Sequence, residues 1–336
     1  MAPRKTKTKT ELPLLGALNF IKLAQREDGA LYQTHCRMFG KFIIAYDGIL
    51  ACGIQLTEDD IELPYVCPNT YRLIHAIERA NDVSSIAFEN NAVTVRTSKF
   101  RAVVPTIMPE NLVTITPDPA SWPLNNNFRD AIARASVFTR EGAQTVIGAS
   151  VYCTNGSCIG TNSLVIVQAW HGVGMPDLIV PKTFVDALVK IKKDITRFGY
   201  SDTSLTVWFD DNTWLKTQLY SEPWPTRSVN GILSEIDALK CDAVPKDFWE
   251  GIRSIAPFAH EQRVHLDNEL LATTSGDAEP SATYKVKGLD ATDVIVNYKQ
   301  FLAIEEFNPA FNFNGNERLI AFIGDGVRGA ISKIRA

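Results

Sequence analysis

The chain has 336 residues, 45% hydrophobic and 21% charged, with a formal net charge of −4. That composition supplies apolar material for two or three compact cores and excludes a strongly basic or acidic binding protein. No apolar run approaches the roughly 20 residues that a membrane-spanning helix needs, and six cysteines without a C-x-x-C pair argue for a reducing compartment and against a zinc site.

Residues 1–10 are basic and read as a disordered arm. Glu11, Pro13 and Asn19 interrupt the apolar stretch beyond it, and no small-residue cleavage site appears, so the segment reads as an amphipathic helix over about 12–26 rather than a signal peptide. Strands are expected near 30–35, 41–46 and 49–56, a helix over 70–81, strands at 85–89 and 92–97, and a loop-rich linker over 105–123. Next, Phe128, Ile132, Ala135 and Phe138 recur at helical spacing and predict a helix over 127–138. Strands come after it at 145–153, 157–159 and 164–170. Asn155-Gly156 between the first two is the strongest two-residue hairpin signal, and it sets Cys153 opposite Cys158, close enough to bridge, although reduced thiols are the expectation in a cytosolic protein. An extended stretch at 178–180 leads to a helix over 181–193, with Pro181 in its first turn, where a missing N–H is no loss. Strands at 204–209 and 213–219 and a second linker over 222–243 complete this part. The last third predicts a helix at 246–256, strands near 263–273 and 282–288, a helix at 297–306 and a hairpin at Asp325-Gly326.

The same pattern is written three times. Pro68-Asn69-Thr70-Tyr71 opens Leu73, Ile74 and Ile77; Pro181-Lys182-Thr183-Phe184 opens Ala187, Leu188 and Ile191; Asn297-Tyr298-Lys299-Gln300-Phe301 opens Leu302, Ile304 and Phe307. Phe128-Arg129-Asp130-Ala131-Ile132 is matched by Phe248-Trp249-Glu250-Gly251-Ile252, and more weakly by Leu14, Leu18 and Leu23. A repeated unit fixes architecture before any local reading does. The expected fold class is α+β, in three tandem domains of two helices packed on β-sheets: residues 11–115, 116–235 and 236–336.

Charge is unevenly distributed. Within the six helices, taken as 12–26, 70–81, 127–140, 182–197, 246–258 and 297–307, fifteen Lys and Arg face eight Asp and Glu, so strands and loops are acidic. Basic helices on an acidic body suit phosphate contact on one face. The cations and histidine expected to face a nucleic acid are Lys22, Arg26, Arg72, His75, Arg79, Arg129, Arg134, Lys190, Lys193, Arg253 and Lys299.

In order and spacing the chain resembles the DNA sliding clamp of bacterial type, the β subunit of the replicative polymerase. In the first unit the resemblance rests on Val66-Cys67-Pro68 with Tyr71 and Ile74, and on Val95-Arg96-Thr97-Ser98 leading through Arg101 to Pro105-Thr106-Ile107-Met108-Pro109 and Asn111-Leu112. Ile179-Val180-Pro181-Lys182 is similar to the family's I-V-P-[RK] helix start, Glu222-Pro223-Trp224-Pro225 stands at its G-x-F-P-D-Y turn, and Ile295-Val296-Asn297-Tyr298 with Phe301-Leu302 resembles F-N-x-x-Y-[VL].

The resemblance implies a processivity factor and not an enzyme. Two subunits would close head to tail into a ring, helices lining the hole, that encircles double-stranded DNA without reading its sequence and tethers a DNA polymerase. A clamp loader and a homodimer are the implied partners; no membrane, cofactor or metal is expected, and the place is the cytoplasm of a bacterial or infected host cell. A partner-peptide pocket is expected from Val146, Thr161, Leu164, Ile166, Pro225, Val229 and Ile331, with Leu164 and Ile166 on one face of one strand. The family's T-D-G-H-R-L stretch is Thr161-Asn162-Ser163-Leu164-Val165-Ile166 here, so the His-Arg pair is lost and partner specificity should differ. The dimer is expected to join the 93–104 strand region, with Val104, to the 252–258 helix end, with Ile255 and Phe258.

The competing readings are an enzyme and a repeat scaffold that binds proteins without encircling DNA. G-x-S-x-G, H-E-x-x-H, Walker and G-x-G-x-x-G patterns are absent. His35, His75, His171, His260 and His265 are scattered without ligand spacing.

Overall fold

The computed structural model describes residues 13–57, 62–80, 85–89, 91–273 and 280–334; the basic arm over 1–10 lies outside them. The first copy runs α1 (Pro13–Ile21), the helical turn α2 (Leu31–Thr34), β1 (Arg37–Gly40), β2 (Phe42–Tyr46), β3 (Leu50–Gln55), β4 (Leu63–Pro68), α3 (Thr70–Arg79), β5 (Ser85–Glu89), β6 (Ala92–Arg96) and β7 (Arg101–Ile107). The second runs β8 (Trp122–Pro123), α4 (Asn126–Ala135), the turn α5 (Val146–Ala149), β9 (Ser150–Thr154), β10 (Ser157–Thr161), β11 (Val165–Trp170), β12 (Leu178–Pro181), α6 (Lys182–Lys190), β13 (Ile195–Tyr200), β14 (Ser204–Phe209) and β15 (Trp214–Gln218). Then come α7 (Thr226–Asp237), β16 (Asp242–Ala243), α8 (Phe248–Ile255), β17 (Arg263–Asp267), β18 (Leu270–Thr273), β19 (Thr283–Lys285), β20 (Val294–Asn297), α9 (Tyr298–Ile304), β21 (Ala310–Asn312), β22 (Leu319–Gly324) and β23 (Val327–Ser332).

The chain forms two compact units, residues 1–126 with 186–219 and residues 127–185 with 220–336, so the second copy is divided between them. Strand pairing explains the division. In the first unit the described strands pair in the order β5-β6-β7-β4-β1-β2-β3-β15-β14-β13-β8, with β15 of the second copy joined to β3 of the first. In the second unit they pair as β12-β9-β10-β11-β23-β22-β21-β16, and β11 joins β23 over Val165–Ala169 and Val327–Ile331. A further sheet, β19-β18-β17-β20, belongs to the third copy.

Several expectations need correction. Residues 31–34 are a helical turn rather than a strand, because Gln33 Oε1 accepts the Ala30 N–H at 3.0 Å. Val146–Ala149 is likewise a helical turn, capped by Thr145 Oγ1, which accepts the Gly148 N–H at 3.2 Å. Pro181 ends β12, paired with Ser150, instead of starting the helix. Residues 195–200 form a strand, so Arg197 is not helical, and Arg140 lies past the helix end. The linker over 222–243 contains α7, whose buried Val229, Leu233 and Ile236 recur at helical spacing.

The second unit's eight-stranded sheet is covered on both faces. Antiparallel partners share a face, so Val151, Gly160, Val167, Gly329 and Phe322 lie on one side. Against that side, the Ala135 carbonyl at the end of α4 approaches so closely that a Cβ on Gly160 would stand 2.0 Å from its oxygen. Phe248 of α8, Phe301 of α9, Phe311 and Phe322 pack on the same side. The other side carries Tyr152, Ile159, Ile166, Ala330 and Ala321, which cluster with Trp224 and the apolar stripe of α7. Cys153 and Cys158 stand opposite each other in the β9–β10 ladder, their sulfurs 3.4 Å apart, both buried free thiols.

Substituting Gly160→Ala forces Cβ into the Ala135 carbonyl. It should cost about 1–3 kcal/mol, the range of overpacking, read as a lowered urea midpoint. A second prediction concerns His171, whose Nδ1 accepts the Val173 N–H at 3.1 Å while the buried Nε2 has no hydrogen-bond partner among the described residues. Burial lowers its pKa, against the opposing pull of backbone groups at Ser157 and Thr154. Protonation therefore favours the unfolded chain: the contribution is present above the unfolded value of about 6.5 and is lost as pH falls through it toward the folded value. The stability advantage of wild type over His171→Asn should shrink between pH 7 and pH 5 in thermal melts.

Candidate nucleic-acid face and partner cleft

Helix α3 is pinned at its start by Asn69, whose Oδ1 accepts the Arg72 N–H at 3.0 Å. Asn297 Oδ1 does the same for α9, accepting the Lys299 N–H at 3.0 Å. On α3, Leu73, Ile74, Ala76 and Ile77 are buried, which leaves Arg72, His75 and Arg79 exposed along one stripe with Glu78 beside it. Helix α1 packs alongside α3. The Tyr71 hydroxyl donates to the Gln25 carbonyl at 3.4 Å, and Lys22 Nζ lies 5.9 Å from the Tyr71 ring centroid. Lys22 and Arg26 are exposed there as well. Five of the residues expected from sequence thus sit on adjoining elements of the first unit.

The remaining cations divide. Lys190 and Lys299 are exposed at α6 and α9. Lys193 is tied down: its Nζ is 2.5 Å from Asp211 Oδ2 and 4.5 Å from the Phe20 ring centroid. Burial pushes the Asp211 carboxyl up, but hydrogen bonds from Lys193 and Thr213 outweigh it, and the net shift is downward. In the second unit Arg134 donates to the Asp325 carbonyl, Arg253 Nη1 donates to Glu305 Oε1 and Oε2 at 2.5 and 2.7 Å, and Arg129 is half-buried. Lys193, Arg134 and Arg253 are therefore not free side chains, because each meets an acceptor that is distant in sequence.

The expected pocket is partly assembled. Thr161 pairs with Ile166, and Ile166 and Val229 share one buried cluster; Pro225 immediately precedes α7, its carbonyl accepting the Val229 N–H at 3.1 Å. Three residues do not fit. Leu164 precedes β11 in a turn where Ser163 has φ 73°, and is 54% exposed, so it does not share a strand face with Ile166. Ile331 pairs with Val165 and points to the opposite side, that of α4, α8 and α9, because the strand period is two. Val146 lies on the helical turn, and its neighbour Ile147 packs on the cluster instead. The sequence pattern did not reveal Tyr152 and Trp224, whose rings stack at 5.4 Å and 7°.

At its far end α7 is held by an ion pair between Asp237 and Arg328; Arg328 Nε also donates to Gln168 Oε1 at 2.8 Å. Beyond the cluster the cleft stays open. A cavity of about 430 Å³ is lined by Ile232 and Glu235 of α7, by Leu319, and by Ser332, Lys333 and Ile334 near the chain's end. Desolvation lowers the Lys333 pKa there, opposed by Glu317.

Two of the three expected dimer residues are core residues of the single chain: Val104 is 3% and Ile255 2% exposed, whereas Phe258 is 59% exposed. Burial reverses between Val104 and its neighbour Val103, which is 51% exposed. β5 is an edge strand of its sheet among the described residues.

Solved structures resemble this chain along almost its whole length. The DNA polymerase III subunit beta from Pseudomonas aeruginosa superposes with a TM-score of 0.79 at 14% identity, covering 98% of this chain and 99% of that one. The fold is that of the bacterial β clamp. The Helicobacter pylori beta clamp bound to a DNA ligase peptide gives a TM-score of 0.75 at 14% identity over 98% and 99% of the two chains. The C. crescentus beta sliding clamp gives 0.77 at 13% over 98% of each. No family model matches the sequence, and no curated protein does. Among the described residues no helix is long and apolar enough to cross a membrane, and no group of His, Cys, Asp and Glu could hold a metal ion.

Replacing Val229 with Asp puts a carboxylate into the apolar contact that holds α7. Hydrogen exchange should show α7 amides losing protection while those of α8 and α9 keep theirs, with a destabilisation of about 2–5 kcal/mol for a buried unpaired charge.

Proposed function

We propose that this chain is the subunit of a DNA sliding clamp. Two subunits, each of three domains at about residues 11–115, 116–235 and 236–336, would close head to tail around duplex DNA and hold a polymerase on its template. The observation that carries the reading is the clamp fold over 98% of the chain, on which Arg72, His75 and Arg79 form one exposed basic stripe. Such a surface meets backbone phosphate without reading bases. Lys22, Arg26 and Lys190 of the same unit are exposed as well, as is Lys299 of the second unit, while Arg134, Arg253 and Lys193 serve packing first. Ring closure would use the β5 edge of one subunit, with Val103 of β7 exposed on the face of the same sheet, and Phe258 of the other, because an open strand edge otherwise invites unspecific pairing.

Partner docking is assigned to the cleft along α7, with Ile232, Leu319 and Ile334 as its apolar surface. The H. pylori clamp was solved with a DNA ligase peptide; a polymerase or other DNA-processing partner would dock here in the same manner, and a loader would be needed to open the ring. The loss of the His-Arg pair and the presence of Trp224 make a different peptide preference the expectation.

The test is topological. Wild type loaded on nicked circular DNA should be retained through gel filtration and released when the circle is linearised. The triple substitution Arg72→Glu, Arg79→Glu, Lys190→Glu should shorten retention and reduce the salt slope by about 0.9 for each phosphate left unneutralised. Equal, salt-resistant binding to linear and circular DNA would overturn encirclement in favour of a scaffold.

A further inference from the structure

The second unit's sheet is covered by α7 on the side away from α4. On the first unit's sheet the corresponding side carries no helix among the described residues; extended chain covers it, with Asp118 accepting hydrogen bonds from Ser204, Thr206 and Lys216. In the β1–β2 hairpin Arg37 pairs with Ile44, as Tyr152 pairs with Ile159 in the β9–β10 hairpin, each two residues from the last pair before the turn. Tyr152 is roofed by Trp224 and the α7 stripe. Over the first copy, the linker after β7 supplies only the extended segment 112–116, of which Leu112 alone among its apolar residues is buried. A cavity of about 110 Å³ remains between the two, lined by Tyr32, Phe39, Ile44 and Tyr46 from one wall and by Leu112 and Val113 from the other.

This cavity is preformed. Arg37 Nη1 donates to Thr114 Oγ1 at 2.8 Å, and Nη2 donates to the carbonyls of Pro109 at 3.0 Å and Leu112 at 2.8 Å, which holds the linker open above the sheet. Its apolar surface continues outward: Phe39 stacks on Phe42 at 5.6 Å and meets Tyr65 edge-on at 5.9 Å, and Phe42, Tyr65 and Val113 are 41%, 56% and 58% exposed. A contiguous exposed apolar patch of this sort marks an interaction surface. Opposite it, Met38, Ile43 and Cys52 are buried on the side of α1. The patch therefore lies away from the basic α1–α3 surface.

The charge of the lining is one-sided. Arg37 is its cation, burial lowers the His35 pKa and so favours the neutral imidazole, and among the described residues no carboxylate lines it. Arg37 directs its hydrogen bonds to neutral oxygens, so its charge has no anionic partner in the cavity wall. The cleft along α7, by contrast, is of mixed charge, lined by Asp293, Glu235 and Glu317 together with Arg318 and Lys333. A cavity of about 150 Å³ lined by aliphatic groups holds benzene, so this smaller one suits a branched aliphatic side chain.

The geometry points to a second docking pocket on the outer face of the first copy, taking an acidic peptide of a partner protein by one leucine- or isoleucine-sized anchor next to a carboxylate. Its biological meaning rests on the clamp reading, whereas the binding itself does not.

The probe is acetyl-Asp-Leu-Asp-amide, followed by ligand-observed NMR with the full-length protein. Saturable binding with a Kd below about 1 mM is expected, weakened at least about tenfold, or 1.4 kcal/mol, when the leucine is alanine or the aspartates are lysines. Val113→Asp, at an exposed linker position, should weaken binding equally without unfolding the protein, and Ile334→Asp at the other cleft should not. Absence of saturable binding, equal binding of the lysine peptide, or loss with Ile334→Asp and not with Val113→Asp each overturns the pocket. Retention of Val113→Asp on circular DNA is read in parallel, so that failure here is separable from failure of encirclement.

Discussion

The backbone ladder between β11 and β23 decides which side chains take which face across the second unit's sheet. Once Val165–Ala169 is in register with Val327–Ile331, the period of two assigns every side chain on both strands to a side. One side must then be small and apolar where helices press in, which is why Gly160 stands against the Ala135 carbonyl. The other must accept α7 and so carries Ile159, Ile166 and Ala330. A slip of one residue would exchange the two sets. The ladder between β3 and β15 plays the same part in the first unit, where Gly53 lies beneath the Trp214 ring.

Much of the fold was legible because it is repeated. Periodicity and punctuation located α3, α4, α8 and α9 to within a few residues, and the Asn155-Gly156 and Asp325-Gly326 hairpins turn where those dipeptides stand. α7 was not legible as a helix. Its Val229, Leu233 and Ile236 stripe is interrupted by Asn230 and Gly231 and preceded by Pro223 and Pro225, so loop-forming residues outweighed a helical period that is stabilised only against the sheet. Ile331 and Leu164 failed for a different reason. Composition shows that a residue is apolar, but the face it takes depends on register and on the turn at Ser163, which are tertiary facts.

The basic surface shows the same limit in electrostatic terms. The α3 stripe could be read directly, since three positions on one helix face need no tertiary information. Arg134, Arg253 and Lys193 looked equivalent in sequence, yet their acceptors lie at Asp325, Glu305 and Asp211. A cation already held by an internal acceptor offers less to a phosphate than one in water, because the existing bond must loosen first.

Strand exchange between neighbouring copies also bears on how the chain can be shortened. β15 completes the sheet begun by β1–β4, and β23 completes the one that contains β9–β11. A cut after the first copy would strip β3 of its partner and expose Leu50–Gly53, while removal of the last copy would leave β11 bare. Each cut uncovers a row of unpaired amides and carbonyls on an apolar strand, the template for aggregation. The repeats are copies in sequence but not modules in assembly, so recombination that shuffled them singly would yield insoluble fragments.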